Sequence, residues 1–81
     1  MPYYVYVLKS EADHSSYVGH TSNLQKRLLE HNSGKSPSTR FKRPWKLLHK
    51  EEFQTRSQAI QREKYLKSIP GRLELKNKGL R

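Results

Sequence analysis

Residues 3–32 read YYVYVLKSEADHSSYVGHTSNLQKRLLEHN, and this stretch decides the fold. Tyr3 to Leu8 is a run of aromatic and β-branched types, a strand signal. Both of its alternating faces are apolar, which suits a central strand covered on two sides. Lys9 to Ser16 is polar, with Asp13 and serines, and reads as a turn. Tyr17 to Thr21 then pairs back as the second arm of a hairpin, where Gly19 marks a close backbone approach or a bulge. Ser22-Asn23-Leu24-Gln25 has the pattern of a capping box. It predicts a helix from Asn23 to about Asn32, with Leu24, Leu28 and Leu29 on its apolar stripe. Gly34 follows where a positive φ is wanted. A strand, turn, strand and helix in this order place Tyr6, Tyr17, His20, Arg27 and His31 near one another. Arg27 and His31 are four apart and share a helix face.

Outward from this unit, Ser33 to Pro44 is a loop of glycine, prolines, serines and the cations Lys35, Arg40, Lys42 and Arg43. Trp45 to Phe53 reads as a third strand. Trp45, Leu47 and Phe53 fall on one parity, and Lys46, Lys50 and Glu52 on the other, which suits a sheet edge. Thr55-Arg56-Ser57-Gln58 is a second capping box, opening a helix to about Ser68. Ala59, Ile60, Glu63, Leu66 and Lys67 recur along it at helical spacing. Pro70-Gly71 is expected to stop that helix, Arg72 to Lys76 to form one more short turn, and the last residues to fray. The fold expected is a small α/β domain over residues 1–81. Its three-stranded sheet is flanked by helices in the order β-β-α-β-α, with the first strand central and the spatial order second-first-third.

With 81 residues and a hydrophobic fraction of 32%, a single domain must build its core from a few large side chains. The tyrosines, Trp45, Phe53 and the leucines are the candidates. The absence of cysteine excludes disulfides and thiolate metal sites. No apolar run approaches the roughly 18 residues of a membrane span. Met1 leads straight into a strand-like run without a secretory signal, so a cytoplasmic protein is expected. The net charge of +10 favours a polyanionic partner: nucleic acid first, an anionic membrane surface second. A merely soluble basic surface is the plain alternative.

Tyr4-Val5-Tyr6, ten residues, then Tyr17-Val18-Gly19 resembles the signature of the GIY-YIG endonuclease superfamily, above all its small stand-alone bacterial members. The likeness extends to Arg27 on the following helix and to Glu63 on the later one. Tyr4 stands where the first triplet has glycine, and Val18 where the second has isoleucine. The resemblance implies hydrolysis of a DNA phosphodiester with one divalent metal, magnesium or manganese.

The residue types suit that chemistry. Magnesium takes one or two carboxylates and keeps several waters, a role for Glu63; the alternative is a surface ion pair with Lys67 at i+4. Arg27 can grip phosphate oxygens through its planar fork and stabilise charge that grows in the transition state; the alternative is a solvated arginine. Tyr17 is the candidate general base or water-orienting group. A phenol with a pKa near 10 needs neighbouring cations to act as a base. Tyr6 is expected alongside it, holding water or phosphate; either tyrosine could instead be a core aromatic. His20 and His31 could donate to phosphate or take a proton, or be structural. His14 and His49 read as turn and strand-edge residues, and no zinc spacing joins the four histidines. Lys35, Arg40, Lys42 and Arg43, interleaved with Phe41 and Trp45, read as a phosphate-tracking patch or as a solvated loop.

The leading function is a metal-dependent endonuclease acting on DNA, with branched or damaged structures as the candidate substrates. Its rivals are a nucleic-acid-binding module without turnover and a protein- or RNA-binding module.

Overall fold

The computed structural model describes residues 2–80; positions 1 and 81 of the expected domain lie outside the described residues. Three strands and three α-helices follow one another as β1 (Tyr3–Ser10), β2 (Ser16–Thr21), α1 (Leu24–Ser33), β3 (Trp45–Phe53), α2 (Arg56–Lys67) and α3 (Ile69–Asn77). A short 3₁₀ turn, Arg40–Lys42, interrupts the loop before β3. The sheet is antiparallel in the order β2-β1-β3. The central place and the two-faced apolar pattern of β1 are therefore as the sequence predicts.

Alternation along β1 splits the core. Val5 and Val7 point to one face, where they meet Val18, Ala59, Leu66 and Leu75 beneath α2 and α3. Tyr6 and Leu8 point to the other, where they meet Trp45, Tyr17, Leu24, Leu28 and Leu47 beneath α1. Leu29, expected on the α1 stripe, is instead 70% exposed, one position off the arc that faces the sheet.

β1 runs two residues beyond the expected Leu8. Ser10 ends it with a buried hydroxyl that accepts from the N–H groups of Ala12 and Asp13 at 3.1 Å and donates to the Lys42 carbonyl at 2.5 Å. His14 takes φ 63° in the turn that follows, and Asp13 accepts from the Ser15 N–H and hydroxyl.

The expected parity of β3 is corrected by a register shift. Val7 faces His49 and Leu8 faces Leu47, so Leu48 is an extra residue and the strand changes face there. Trp45 and Leu47 pack beneath α1, whereas Phe53 packs with Tyr3 on the opposite face.

The helix starts divide in the same way. Thr55 forms the expected capping box with Gln58. The expected box at Ser22 is absent; the N-cap is Asn23, whose side chain accepts from the Lys26 N–H at 3.1 Å. Gly34 closes α1 at φ 85°, as its position predicts.

Pro70-Gly71 does not end the helical run. Ser68 caps a new nine-residue helix, α3, and Pro70 falls in its first turn, where a missing N–H costs nothing. A Cβ on the buried Gly71 would collide with the Tyr65 carbonyl, so the α2–α3 elbow closes only around glycine. The end of α3 is also ordered. Gly79 at φ 72° and Leu80 donate to the carbonyls of Lys76 and Leu75 at 3.0 and 2.8 Å, a Schellman closure. Leu80 packs on the core, so it is not frayed. Arg62 ties these elements together, reaching Glu51 of β3 at 2.7 and 3.1 Å and also Glu74 of α3.

Candidate active site

β2 is the edge strand on which the candidate residues converge. Tyr17 and Gly19 lie opposite Leu8 and Tyr6, while Val18 and His20 lie opposite Val7 and Val5. One edge thus presents Tyr17 beneath α1 and His20 beneath α2, so both faces of the sheet contribute.

Gly19 makes room for Tyr6. A Cβ there would lie 2.5 Å from the Tyr6 hydroxyl and 3.0 Å from the Tyr17 ring. The β1–β2 register is unbroken, so of the two meanings open for Gly19, close approach is the one realised. The Tyr6 and Tyr17 rings lie 6.3 Å apart between centroids, and Tyr17 meets the His31 ring edge-on at 4.9 Å.

His31 is wholly buried and engaged through both nitrogens. Nε2 lies 2.9 Å from the Tyr6 hydroxyl and Nδ1 lies 2.8 Å from the Thr39 hydroxyl. Thr39 also donates to the Ser36 carbonyl at 3.5 Å. A neutral imidazole has one N–H and one lone pair, so His31 donates to one of these two hydroxyls and accepts from the other. Burial, reinforced by the Arg27 charge, holds His31 down at about 4. Burial pushes the Tyr6 phenol up to about 12, against the pull of Arg27. Neutral histidine and neutral phenol form a fixed pair, and His31 takes its structural alternative rather than facing a phosphate.

Arg27 on α1 is half-buried, with its guanidinium 3.2 Å from Glu30. It lines a polar cleft of about 400 Å³ with Thr21, Ser22, Asn23 and Lys26. A second cleft, about 260 Å³, lies against the same Thr21-Ser22 segment and is lined by Tyr3, His20 and Arg56. A larger cavity of about 620 Å³ lies elsewhere, between α3 and the β1–β2 turn.

Glu63 on α2 accepts at both oxygens. His20 Nδ1 lies 2.5 Å from Oε1, and Lys67 Nζ lies 2.7 Å from Oε2. Burial raises its carboxyl, but the Lys67 and His20 hydrogen bonds more than offset this and hold it below the ordinary range. The ion pair with Lys67 is therefore formed, and the carboxylate is ionised and aimed. The Lys67 ammonium also stands 5.7 Å from the centre of the Tyr17 ring, which brings α2 to the tyrosine edge.

No group of three or more histidines and carboxylates gathers among the described residues. A single half-buried carboxylate fits a hard cation that keeps most of its waters, and does not fit zinc.

The basic loop is more ordered than its composition suggests. Trp45 is buried and its indole N–H donates to the Thr39 carbonyl at 2.9 Å. Asn32 grips the Trp45 backbone at 2.6 and 3.1 Å. Trp45 is thus core, not part of the surface patch. Lys35, Arg40, Lys42 and Arg43 are exposed, with Lys42 3.8 Å from Asp13. His14 and His49 sit in the turn and on β3, as read, the latter 3.0 Å from Glu51. Sequence reasoning missed Thr39 and Asn32; no local pattern marks either, since their partners lie on other elements.

Comparison with known proteins agrees with this architecture. The GIY-YIG catalytic domain matches residues 2–76. A UPF0213 protein of Natronomonas pharaonis is 44% identical over 68 residues, 83% of this chain and 79% of that protein. A UPF0213 protein of Bacillus pumilus is 52% identical over 62 residues, 75% of this chain, which spans 62% of that relative's length. The solution NMR structure of a UPF0213 protein from Bacillus halodurans is 31% identical with a TM-score of 0.58, covering 95% of this chain and 84% of that one. No helix among the described residues is long and apolar enough to cross a membrane. With both tyrosine triplets, Arg27 and Glu63 inside the matched span, the chain belongs to the GIY-YIG family.

Proposed function

We propose that this protein is a divalent-metal-dependent endonuclease that hydrolyses phosphodiester bonds in DNA. The observation that carries the reading is geometric. At edge strand β2, His20 meets Glu63 of α2 at 2.5 Å, the Lys67 ammonium of α2 stands 5.7 Å from the centre of the Tyr17 ring, and Arg27 of α1 lines the cleft at Thr21-Ser22, so groups from two helices converge on one strand edge. In this reading Glu63 holds magnesium or manganese, with Lys67 giving up Oε2. The metal supplies Lewis-acid neutralisation of the phosphate and a source of activated water. Arg27 grips non-bridging phosphate oxygens and stabilises their growing charge. Tyr17, at the open edge, orients the attacking water or relays its proton. Tyr6 keeps its proton and, held by His31, fixes the shape of the pocket beside it. His20 aims Glu63 and leaves Nε2 to face a phosphate. The net charge of +10 supplies affinity through counterion release.

The test is a cleavage panel of single-stranded, duplex, nicked, flapped and branched DNA, plus RNA, with and without magnesium, run on wild type and Glu63→Gln. The expected result is magnesium-dependent cutting by wild type, and a folded Gln variant that binds DNA and does not cut. Wild-type rates in the Gln variant would remove Glu63 from the metal site. A wild type that cuts nothing on the whole panel leaves the binding-module reading, in which Lys67 permanently neutralises Glu63.

A further inference from the structure

The loop between α1 and β3 carries a rigid platform with one large apolar group left in water. Its rigidity comes from three anchors. Thr39 is buried and bonded to His31 and to the Trp45 indole. The Lys42 carbonyl accepts from the buried Ser10 hydroxyl. The Pro44 carbonyl accepts from the Glu11 N–H at 2.9 Å. On the 3₁₀ turn held between these anchors, Phe41 is 82% exposed. The Arg40 guanidinium stands 4.7 Å from the centre of its ring, backing the ring with a cation. Lys35, Lys42 and Arg43 are exposed nearby in the same loop.

A single exposed apolar residue is ordinary. A phenyl ring fixed on an anchored turn, backed by arginine and surrounded by cations, is the combination that binds unpaired bases. Cations track the backbone, and the aromatic face accepts any base in a stack. A paired duplex offers no free base face to such a ring.

We propose that Phe41 is a stacking platform for an unpaired base, and that the preferred DNA of this protein contains unpaired bases next to duplex. This rests on the proposed nuclease reading and names its substrate class. Thr39 directly precedes the turn and bonds to His31, which holds Tyr6 at 2.9 Å. A base seated on Phe41 is therefore tied through two buried hydrogen bonds to the candidate active site.

The test uses the full chain in buffer without divalent metal, so binding is read apart from cleavage. Fluorescence anisotropy compares a perfect duplex, the same duplex with a 3′ single-stranded overhang, and the single strand, for wild type, F41A, F41L and F41W. A 2-aminopurine placed in the overhang reports stacking directly. F41A and F41L are expected to lose on the order of tenfold or more in affinity for the overhang and single strand, with less than twofold loss on duplex. F41W is expected to retain affinity, and the 2-aminopurine signal is expected to be quenched by wild type and F41W only. Circular dichroism checks that each variant is folded. Equal losses on all three DNAs, retention by F41L, or no DNA binding by wild type would each overturn the proposal. So would Phe41-dependent binding to anionic phosphatidylserine vesicles without discrimination among the DNAs. Failure of the nuclease reading shows instead as wild-type binding with normal discrimination and no cleavage when magnesium is added.

Discussion

The Nδ1 atom of His20 lies 2.5 Å from Oε1 of Glu63, across 43 positions of sequence. The bond joins edge strand β2 to the middle of α2 and sets the direction in which the carboxylate faces. In the metal-holding role proposed for Glu63, such a hydrogen-bonded partner would strengthen binding by fixing the carboxylate's orientation in advance.

Removing that support is expected to weaken metal use more than chemistry. His20→Ala should raise the magnesium concentration for half-maximal cleavage by about 10- to 100-fold, the usual effect of losing an outer-shell partner. His20→Asn, which can still donate a hydrogen bond, should recover part of the loss. Magnesium titrations of cleavage rate check this. An unchanged midpoint with a large fall in the rate at saturating metal would instead place His20 on the substrate.

Arg27→Lys is expected to be a damaging change. Lysine keeps the charge but loses the planar fork that matches two phosphate oxygens. Cleavage should fall on the order of 10²-fold, by analogy with loss of one preorganised donor. Stability should change little, because lysine keeps a cation beside Tyr6 and Glu30, the groups that Arg27 faces. Single-turnover rates and a urea melt separate the two effects. Near-normal turnover would put Arg27 among the solvated cations.

Much of this was legible in local sequence. The alternation of β1, the capping box at Thr55 and the glycine after α1 each act within a few residues, and each appears as read. What was hidden depends on partners far along the chain. The extra residue at Leu48 moves Phe53 to the other face of the sheet, and parity counting along β3 alone has no means of finding it. Thr39 looks like any loop threonine until α1 brings His31 onto it. Pro70 differs in kind: proline next to glycine is a local stop signal, but Ser68 two positions earlier is a helix-start signal and caps α3. In the site, the residue types were legible, but the division of labour between the two histidines was not. His31 is bonded on both sides in the interior, while His20 meets a carboxylate at the edge.

Gly19→Ala tests the close approach between β2 and Tyr6. The added methyl would lie 2.5 Å from the Tyr6 hydroxyl and 2.7 Å from its ring carbon, and the phenol is packed against His31 with no room to retreat. Overpacking of this kind costs about 1–3 kcal/mol. The variant should melt earlier in urea with an unchanged slope, and its cleavage should fall as the Tyr6–His31 bond is strained. Wild-type stability would mean that β2 can shift outward freely at the sheet edge.

The buried pair itself predicts a pH dependence of stability. His31 titrates at about 4 when folded, against a reference of 6.5. Between these values the unfolded chain takes up a proton that the folded protein refuses. Stability from this group is therefore complete above pH 6.5 and declines as pH falls toward 4. The slope approaches about 1.4 kcal/mol per pH unit, and the total loss is on the order of 3 kcal/mol. Protonation would also place a cation beside Arg27 and take away the ring lone pair that accepts one of the two buried hydrogen bonds. His31→Gln has no titration in this window. It should be less stable than wild type at pH 7, by about 1–2 kcal/mol for imperfect replacement of two buried hydrogen bonds. The gap between the two proteins should then narrow as pH falls, because only wild type loses the histidine contribution. Urea unfolding at half-unit steps from pH 7 to pH 4.5 measures the gap directly. Carboxylates titrate alike in both proteins and cancel in the difference. A gap that stays constant over that range would mean that His31 accepts its proton without penalty, and that the interior around Tyr6 is open to water.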